Sequence, residues 1–281
     1  MILVFGKTGQ VATELQRLGD VMALGRGQVD LSDPGACAAA IRAHKPAAVI
    51  NAAAYTAVDK AEDDAVLATV INGDAPTSMA QACAEMGIPL VHISTDYVFE
   101  GSGAAPWQPT DMAAPQNVYG RSKLAGEEGI SGSGAAFAIL RTSWVVSSHG
   151  SNFVKTMLRL SETRDALGVV ADQIGGPTPA RDIARACLKI AEQLQQDPSK
   201  SGTYHFSGAP DVSWAEFAAE IFDQAGRAVV VTPIATRDYP TPAARPLNSR
   251  LDCTKTEQVF DIKRPDWRAG LSAILVDLKA I

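Results

Sequence analysis

Tyr119 and Lys123 stand four residues apart in Tyr119-Gly-Arg-Ser-Lys123, a spacing that puts both side chains on one face of a helix. An ammonium beside a phenol stabilises the phenolate and draws a group with an ordinary pKa near ~10 toward use in proton transfer. The spacing by itself is common on surface helices. Two further features give it weight. Thr95, in Ser94-Thr95-Asp96-Tyr97, follows an apolar run that reads as a strand, so its hydroxyl stands at a strand's carboxyl edge, where a carbonyl substrate and Tyr119 could meet. The same cluster also suits an N-cap or turn. Gly6-Lys-Thr-Gly9-Gln10-Val11-Ala12 comes directly after another apolar run and opens a helical segment. Glycines in that place let the backbone approach a pyrophosphate seated on the helix amino terminus. Together these residues fit a nicotinamide dinucleotide and a ketone reduced with Tyr119 as the acid.

The elements that must hold these groups are legible as short apolar runs at 2–5, 21–24, 47–50, 90–93 and 137–140, which read as buried strands. Helical segments at 10–18, 35–44, 61–86 and 119–129 lie between them. That alternation predicts an α/β fold, a doubly wound parallel sheet of the Rossmann type over residues 1–145. After Arg141 the rhythm loosens through 147–151 and the Gly/Pro-rich 175–179. A smaller carboxyl-terminal substrate lobe is expected over 146–281, with chain around 168–198 returning to the first domain. Its expected elements are helices at 152–162, 181–196, 213–226 and 265–278 and a strand at 229–232.

The end of the second strand selects the dinucleotide, because an acidic residue there binds the adenosine ribose hydroxyls. The chain has Leu24-Gly25-Arg26 instead. Arg26 suits a 2′-phosphate and favours NADPH, with NADH the alternative if Arg26 only faces solvent. Asp30 and Leu31 are placed to flank the adenine. Ala52, Ala53 and Ala54 follow the third strand, where small side chains leave room for a flat cofactor or simply pack tightly.

Bulk properties exclude several classes. The formal charge of −6 and the lack of any basic run argue against nucleic acid as a partner. No apolar run approaches the ~18 residues a membrane span needs, and the apolar start at 1–5 lacks a basic leader. Cys37, Cys83, Cys187 and Cys253 lie far apart with no C-x-x-C, which predicts reduced thiols and a cytoplasmic setting. His44, His92, His149 and His205 are equally scattered, so no metal site is expected.

Taken in order, the motifs resemble those of the extended short-chain dehydrogenase/reductase family. The residues that carry the likeness are Gly6-x-x-Gly9-Gln10, Asn51-Ala-Ala-Ala-Tyr-Thr-Ala-Val-Asp59, Ser94-Thr-Asp-Tyr-Val-Phe-Glu-Gly101, Tyr119-Gly-x-x-Lys123 and Arg141-Thr-Ser-Trp144, followed by Asp172-Gln173, Pro177-Thr178 and Arg245-Pro-x-Asn-Ser249. The resemblance implies reduction of a C4 ketone on a nucleotide sugar. It makes Tyr119 the proton donor, Lys123 the holder of the nicotinamide ribose, and Thr95 a second donor to the ketone oxygen. It also places Thr56, Val58, Asp96, Tyr97 and Trp144 around the sugar and Arg245 at the diphosphate. From the residue alone, Trp144 is equally a core aromatic and Arg245 equally a loop strut.

Ala12 stands where the family has a third glycine, and Glu100 where Asp is common. Some members bind magnesium at a dimer interface, and the acidic residues that would do so do not map onto this chain by sequence; a homodimer is one assembly the resemblance leaves open. Related dehydratases carry Asp-Glu after the Thr, whereas Asp96-Tyr97 lacks that base, which favours simple reduction. The rival readings are a 4-epimerase that retains NAD and a regulatory subunit that binds NADP(H) without turnover.

Overall fold

A computed structural model describes residues 1–281. Six parallel strands form its main sheet: β1 (Ile2–Phe5), β2 (Val21–Leu24), β3 (Ala48–Asn51), β4 (Leu90–Thr95), β5 (Phe137–Thr142) and β6 (Gly202–His205), in the order β6-β5-β4-β3-β1-β2. Successive residues of β1 alternate between the two faces, as a strand's period of two requires. Val4 joins Ile50, Val91 and Leu140 under helices α1 (Gln10–Leu18) and α5 (Ala180–Gln196). Leu3 and Phe5 face the other way, against α2 (Pro34–His44) and α3 (Ala75–Met86). A further helix, α4 (Val118–Ser131), packs beside α3 on that second side.

Five of the six strands fall where the apolar runs predict them. β6 does not, because Gly202-Thr-Tyr-His205 is short and half polar; it is an edge strand whose one neighbour in the main sheet is β5. The segment expected as one helix over 61–86 is broken into Val58–Ala61, Ala65–Thr69, a π-helical turn at Val70–Asp74 and α3. Pro76 accounts for the π-helical turn: it has no N–H to give the Asn72 carbonyl one turn earlier. That carbonyl packs instead against Gly126 of α4, where a Cβ would collide with it.

The remaining chain forms a second cluster around Phe217, Ile221, Trp267 and Leu271. Its helices are Phe153–Ser161, Trp214–Gln224 and Trp267–Asp277, beside a parallel pair of strands, Ala166–Val170 and Val230–Ile234. Ser213 and Glu216 start the middle helix with reciprocal side-chain to backbone bonds, a capping box. Within 168–198, Ala166–Val170 belongs to this second cluster and α5 to the first. No helix is long and apolar enough to cross a membrane. All four cysteines are free and buried.

Candidate active site

The sheet's strand order reverses its direction of growth at β1, between β2 and β3, the place where doubly wound folds open a crevice at their carboxyl edge. Gly6 leaves β1 with φ +107, and a Cβ on it would lie 3.2 Å from the Ala52 carbonyl oxygen, so only glycine fits the turn. Gly9 caps α1 without any side-chain partner, which leaves first-turn amides open for an anion. The Val11 side chain is buried in the core, so only its backbone can face a ligand. Gln10 is tied toward the second cluster: its Oε1 accepts from Ser147 Oγ at 2.8 Å and Asn152 Nδ2 at 3.0 Å.

At the end of β2, Arg26 is exposed, and its Nε lies 3.2 Å from Asp30 Oδ2. A phosphate arriving there would share the guanidinium with Asp30. Leu31 is packed into the core beside Phe5 and Leu24, so little of it is left for an adenine. Ala52, Ala53 and Ala54 are half-buried past β3, and the Ala53 N–H donates to Asn51 Oδ1 at 3.2 Å.

Thr95 ends β4, accepting from the Tyr97 N–H at 3.2 Å and donating to Asp96 Oδ1 at 3.1 Å. Asn117 caps α4, accepting from the Gly120 N–H at 2.8 Å, and brings Tyr119 over that strand end. Tyr119 meets Tyr97 edge to face, ring centroids 5.5 Å apart. Burial pushes the Tyr119 phenol up to about 12, partly offset by the Thr95 hydroxyl, with Asp96 adding to the rise.

Lys123, expected to lower it, is not among the groups that act on the phenol here. Lys123 is buried and turned toward β4, its Nζ 2.9 Å from His92 Nε2 and 2.8 Å from the Ile93 carbonyl oxygen. Burial draws the lysine down to about 8 while Glu127 pulls the other way. Glu127 in turn holds Arg141 through a buried fork, with Arg141 Nη2 at 2.6 Å and Nε at 3.0 Å from its two carboxylate oxygens.

Asp96 is buried with Oδ2 lacking any partner, and burial raises it to about 6. Tyr97 is likewise driven upward by burial. Trp144 holds φ 48, rare for a bulky residue, and lies flat on Trp214 with centroids 3.6 Å apart. Thr56 is exposed and Val58 half-buried on the short helix after β3. Arg245 is held by Asp59, Nη2 to Oδ2 at 2.7 Å, and by the Ala243 carbonyl, so a diphosphate would have to compete with that carboxylate.

Sequence reasoning missed Asn51, His92, Ser147, Asn152 and Trp214 as neighbours of these groups. His92 gave no signal, being a polar residue inside an apolar strand run, whereas Asn152 is legible as a helix N-cap. A cavity of about 310 Å³ lies elsewhere, between α1, α5 and Trp267–Asp277, and none of Thr95, Tyr119 and Lys123 lines it. It is lined by Glu14, Arg181, Asp182, Arg185, Asp266 and Asp277 among others. Glu14 and Asp277 are both bridged by Arg17, and no three His, Cys, Asp or Glu side chains converge for a metal.

A doubly wound sheet with a glycine turn at its switch point and Thr95, Tyr119 and Lys123 around one strand end defines an oxidoreductase of the extended short-chain dehydrogenase/reductase class. The family model described as RmlD substrate binding domain matches residues 1–280, and the chain belongs to that family, which holds the dTDP-4-dehydrorhamnose reductases. A dTDP-4-dehydrorhamnose reductase of Sinorhizobium fredii is 44% identical over 95% of this chain and 93% of its own. A crystal structure of such a reductase from Clostridium acetobutylicum is 36% identical with a TM-score of 0.92, covering 99% of both chains. Another from Bacillus anthracis, in complex with NADP, is 34% identical with a TM-score of 0.91 over 98% of each chain.

Proposed function

We propose that this chain reduces the C4 ketone of dTDP-4-dehydro-L-rhamnose to give dTDP-L-rhamnose. The observation that carries the reading is the Tyr119 phenol beside the Thr95 hydroxyl at the carboxyl end of β4, one helical turn from Lys123. NADPH, when bound, supplies the hydride. Tyr119 gives its proton to the C4 oxygen, and a phenol held near 12 stays protonated through the neutral range, as a donor must. Thr95 turns its one hydroxyl proton from Asp96 Oδ1 to the same oxygen as charge builds on it. The phenolate left behind is buried, and the nearby Lys123 side chain is the cation that offsets it.

Asp96 Oδ2, unpaired in the protein, accepts from a sugar hydroxyl, and Trp144, Tyr97, Thr56 and Val58 form the walls. The body made of 146–281, without α5 and β6, carries the sugar side. Open amides after Gly9, with Gln10, Val11 and Ala52 to Ala54 around them, take the pyrophosphate and nicotinamide. Arg26, released from Asp30, takes the 2′-phosphate. Four unpaired thiols support a cytoplasmic setting.

The test is to mix purified chain with NADPH and dTDP-4-dehydro-L-rhamnose and follow the nicotinamide absorbance. Loss of NADPH with formation of dTDP-L-rhamnose is expected. Tight cofactor retention with no oxidation would overturn the reading in favour of a regulatory subunit, and conversion between UDP-hexoses on retained NAD would overturn it in favour of an epimerase.

A further inference from the structure

His92 sits in the middle of β4, fully buried, with a polar group at each ring nitrogen: Asn51 Nδ2 lies 3.0 Å from Nδ1, and Lys123 Nζ lies 2.9 Å from Nε2. The orientation of Asn51 is set independently, because its Oδ1 accepts the Ala53 N–H. Its amide nitrogen therefore donates to Nδ1, and a neutral imidazole that accepts at Nδ1 carries its proton on Nε2. Nε2–H then points at Lys123, and only a lysine with a lone pair can accept it. An ammonium in the same place would force the imidazole to reverse its tautomer, setting Nδ1–H against the Asn51 amide N–H in a dry interior.

We propose that His92 is a positioning residue for the reaction assigned above: with Asn51 it fixes Nε2–H toward Lys123 and docks that lysine as an amine on β4, so that taking up a proton frees it toward Tyr119. Nζ keeps a donor for the Ile93 carbonyl in the docked form, so every polar atom of the chain Ala53, Asn51, His92, Lys123, Ile93 is paired. The depressed His92 agrees with a neutral imidazole, and the depression of Lys123 narrows the pH range over which the lysine keeps its charge.

Other charged or titratable groups do not compete for Nζ. Glu127, one turn on along α4, is bound by Arg141 of β5 and by Ser94. Tyr119 is one turn back, Asp96 lies past the end of β4, and Asp74 on the π-helical turn is exposed. The mechanical consequence is that Lys123 has two places, and its proton decides between them. A docked amine cannot offset a phenolate, whereas a released ammonium can.

The inference rests on the proposed reduction for its meaning, but its test needs no turnover. Nitrogen-15 shifts of the His92 ring in the ligand-free wild-type chain, assigned with a His92→Gln variant, should show Nε2 protonated and Nδ1 bare above about pH 9, where the lysine is an amine. An Nδ1–H tautomer there would overturn the proposal. The carbon-13 signal of Lys123 Cε should titrate below the other lysines in wild type. In His92→Gln it should move up by about a pH unit or more, roughly a tenfold change in proton affinity, because a glutamine can turn its oxygen to an ammonium. An unchanged Lys123 titration in a folded His92→Gln would also sink it. Failure of the NADPH assay would leave these signals unaffected.

Discussion

A methyl group on Gly120 would collide with the carbonyl oxygen of Tyr97, so α4 and the turn after β4 meet at this glycine with no space to spare. This contact sets how far Tyr119, the next residue back, stands from Thr95. Gly120→Ala should therefore act on chemistry as well as on folding. A loss of about 1–3 kcal/mol in stability is expected from overpacking, read by urea unfolding. A fall in kcat should accompany it under conditions where the variant remains folded. Wild-type stability in Gly120→Ala would mean that the turn gives way easily and does not fix the geometry.

Tyr119→Phe removes the phenol that supplies the proton while leaving the ring against Tyr97. Turnover should drop by about 10²-fold or more with little change in NADPH affinity. The check is steady-state kinetics beside a direct cofactor titration. Retained turnover would move the acid elsewhere, and Thr95 would then be the nearest candidate.

Arg26 is joined to Asp30 across an exposed turn, so its guanidinium is available only by exchange of partners. Arg26→Ala should weaken NADPH binding far more than NADH binding, since the lost partner is a phosphate that NADH lacks. Asp30→Ala, which removes the competing carboxylate, should tighten NADPH. Calorimetric titration of both cofactors would decide this, and equal losses for the two in Arg26→Ala would remove the ground for the NADPH preference.

Asp96 binds a proton more tightly folded, at about 6, than at its ordinary value of 3.8. Both states hold the proton below the lower value. As pH rises from there to about 6 the unfolded chain releases it first, so the folded state loses stability and then levels off. Asp96→Asn escapes that loss. It should gain roughly 2–3 kcal/mol over the wild type at neutral pH, from a shift of this size, and nothing below about pH 4, while turnover falls. Parallel unfolding curves across the pH range for both proteins would contradict a buried carboxylate whose proton affinity is raised on folding.

Much of the nucleotide half was legible because its signals are local. Apolar runs gave five strands, Gly6 announced the turn that no Cβ can enter, and Asp33 before Pro34 marked the start of α2. What escaped depends on partners distant in the chain. Gly202–His205 becomes a strand only because β5 offers it an edge, and nothing in its composition says so. Trp144 lies on Trp214, a contact no pattern along the chain encodes. The direction of Lys123 is a further case: the four-residue spacing put it on the face of Tyr119 but was silent about His92 in the strand beneath. Pro76 was a visible warning inside the expected helix, and it marks the place where that helix is interrupted.

Pro76 also reaches further than its own helix. By releasing the Asn72 carbonyl it creates a peg, and Gly126 on α4 is the slot that receives it. A peg and slot permit one azimuth and one axial setting. Turning α4 by a single residue would swing Tyr119 roughly 100° around the helix axis and away from the strand end. The aim of the proton donor is thus indexed by a missing hydrogen bond on a neighbouring helix, and insertions between Gly120 and Gly126 should be far less tolerated than insertions in the loop before Asn117.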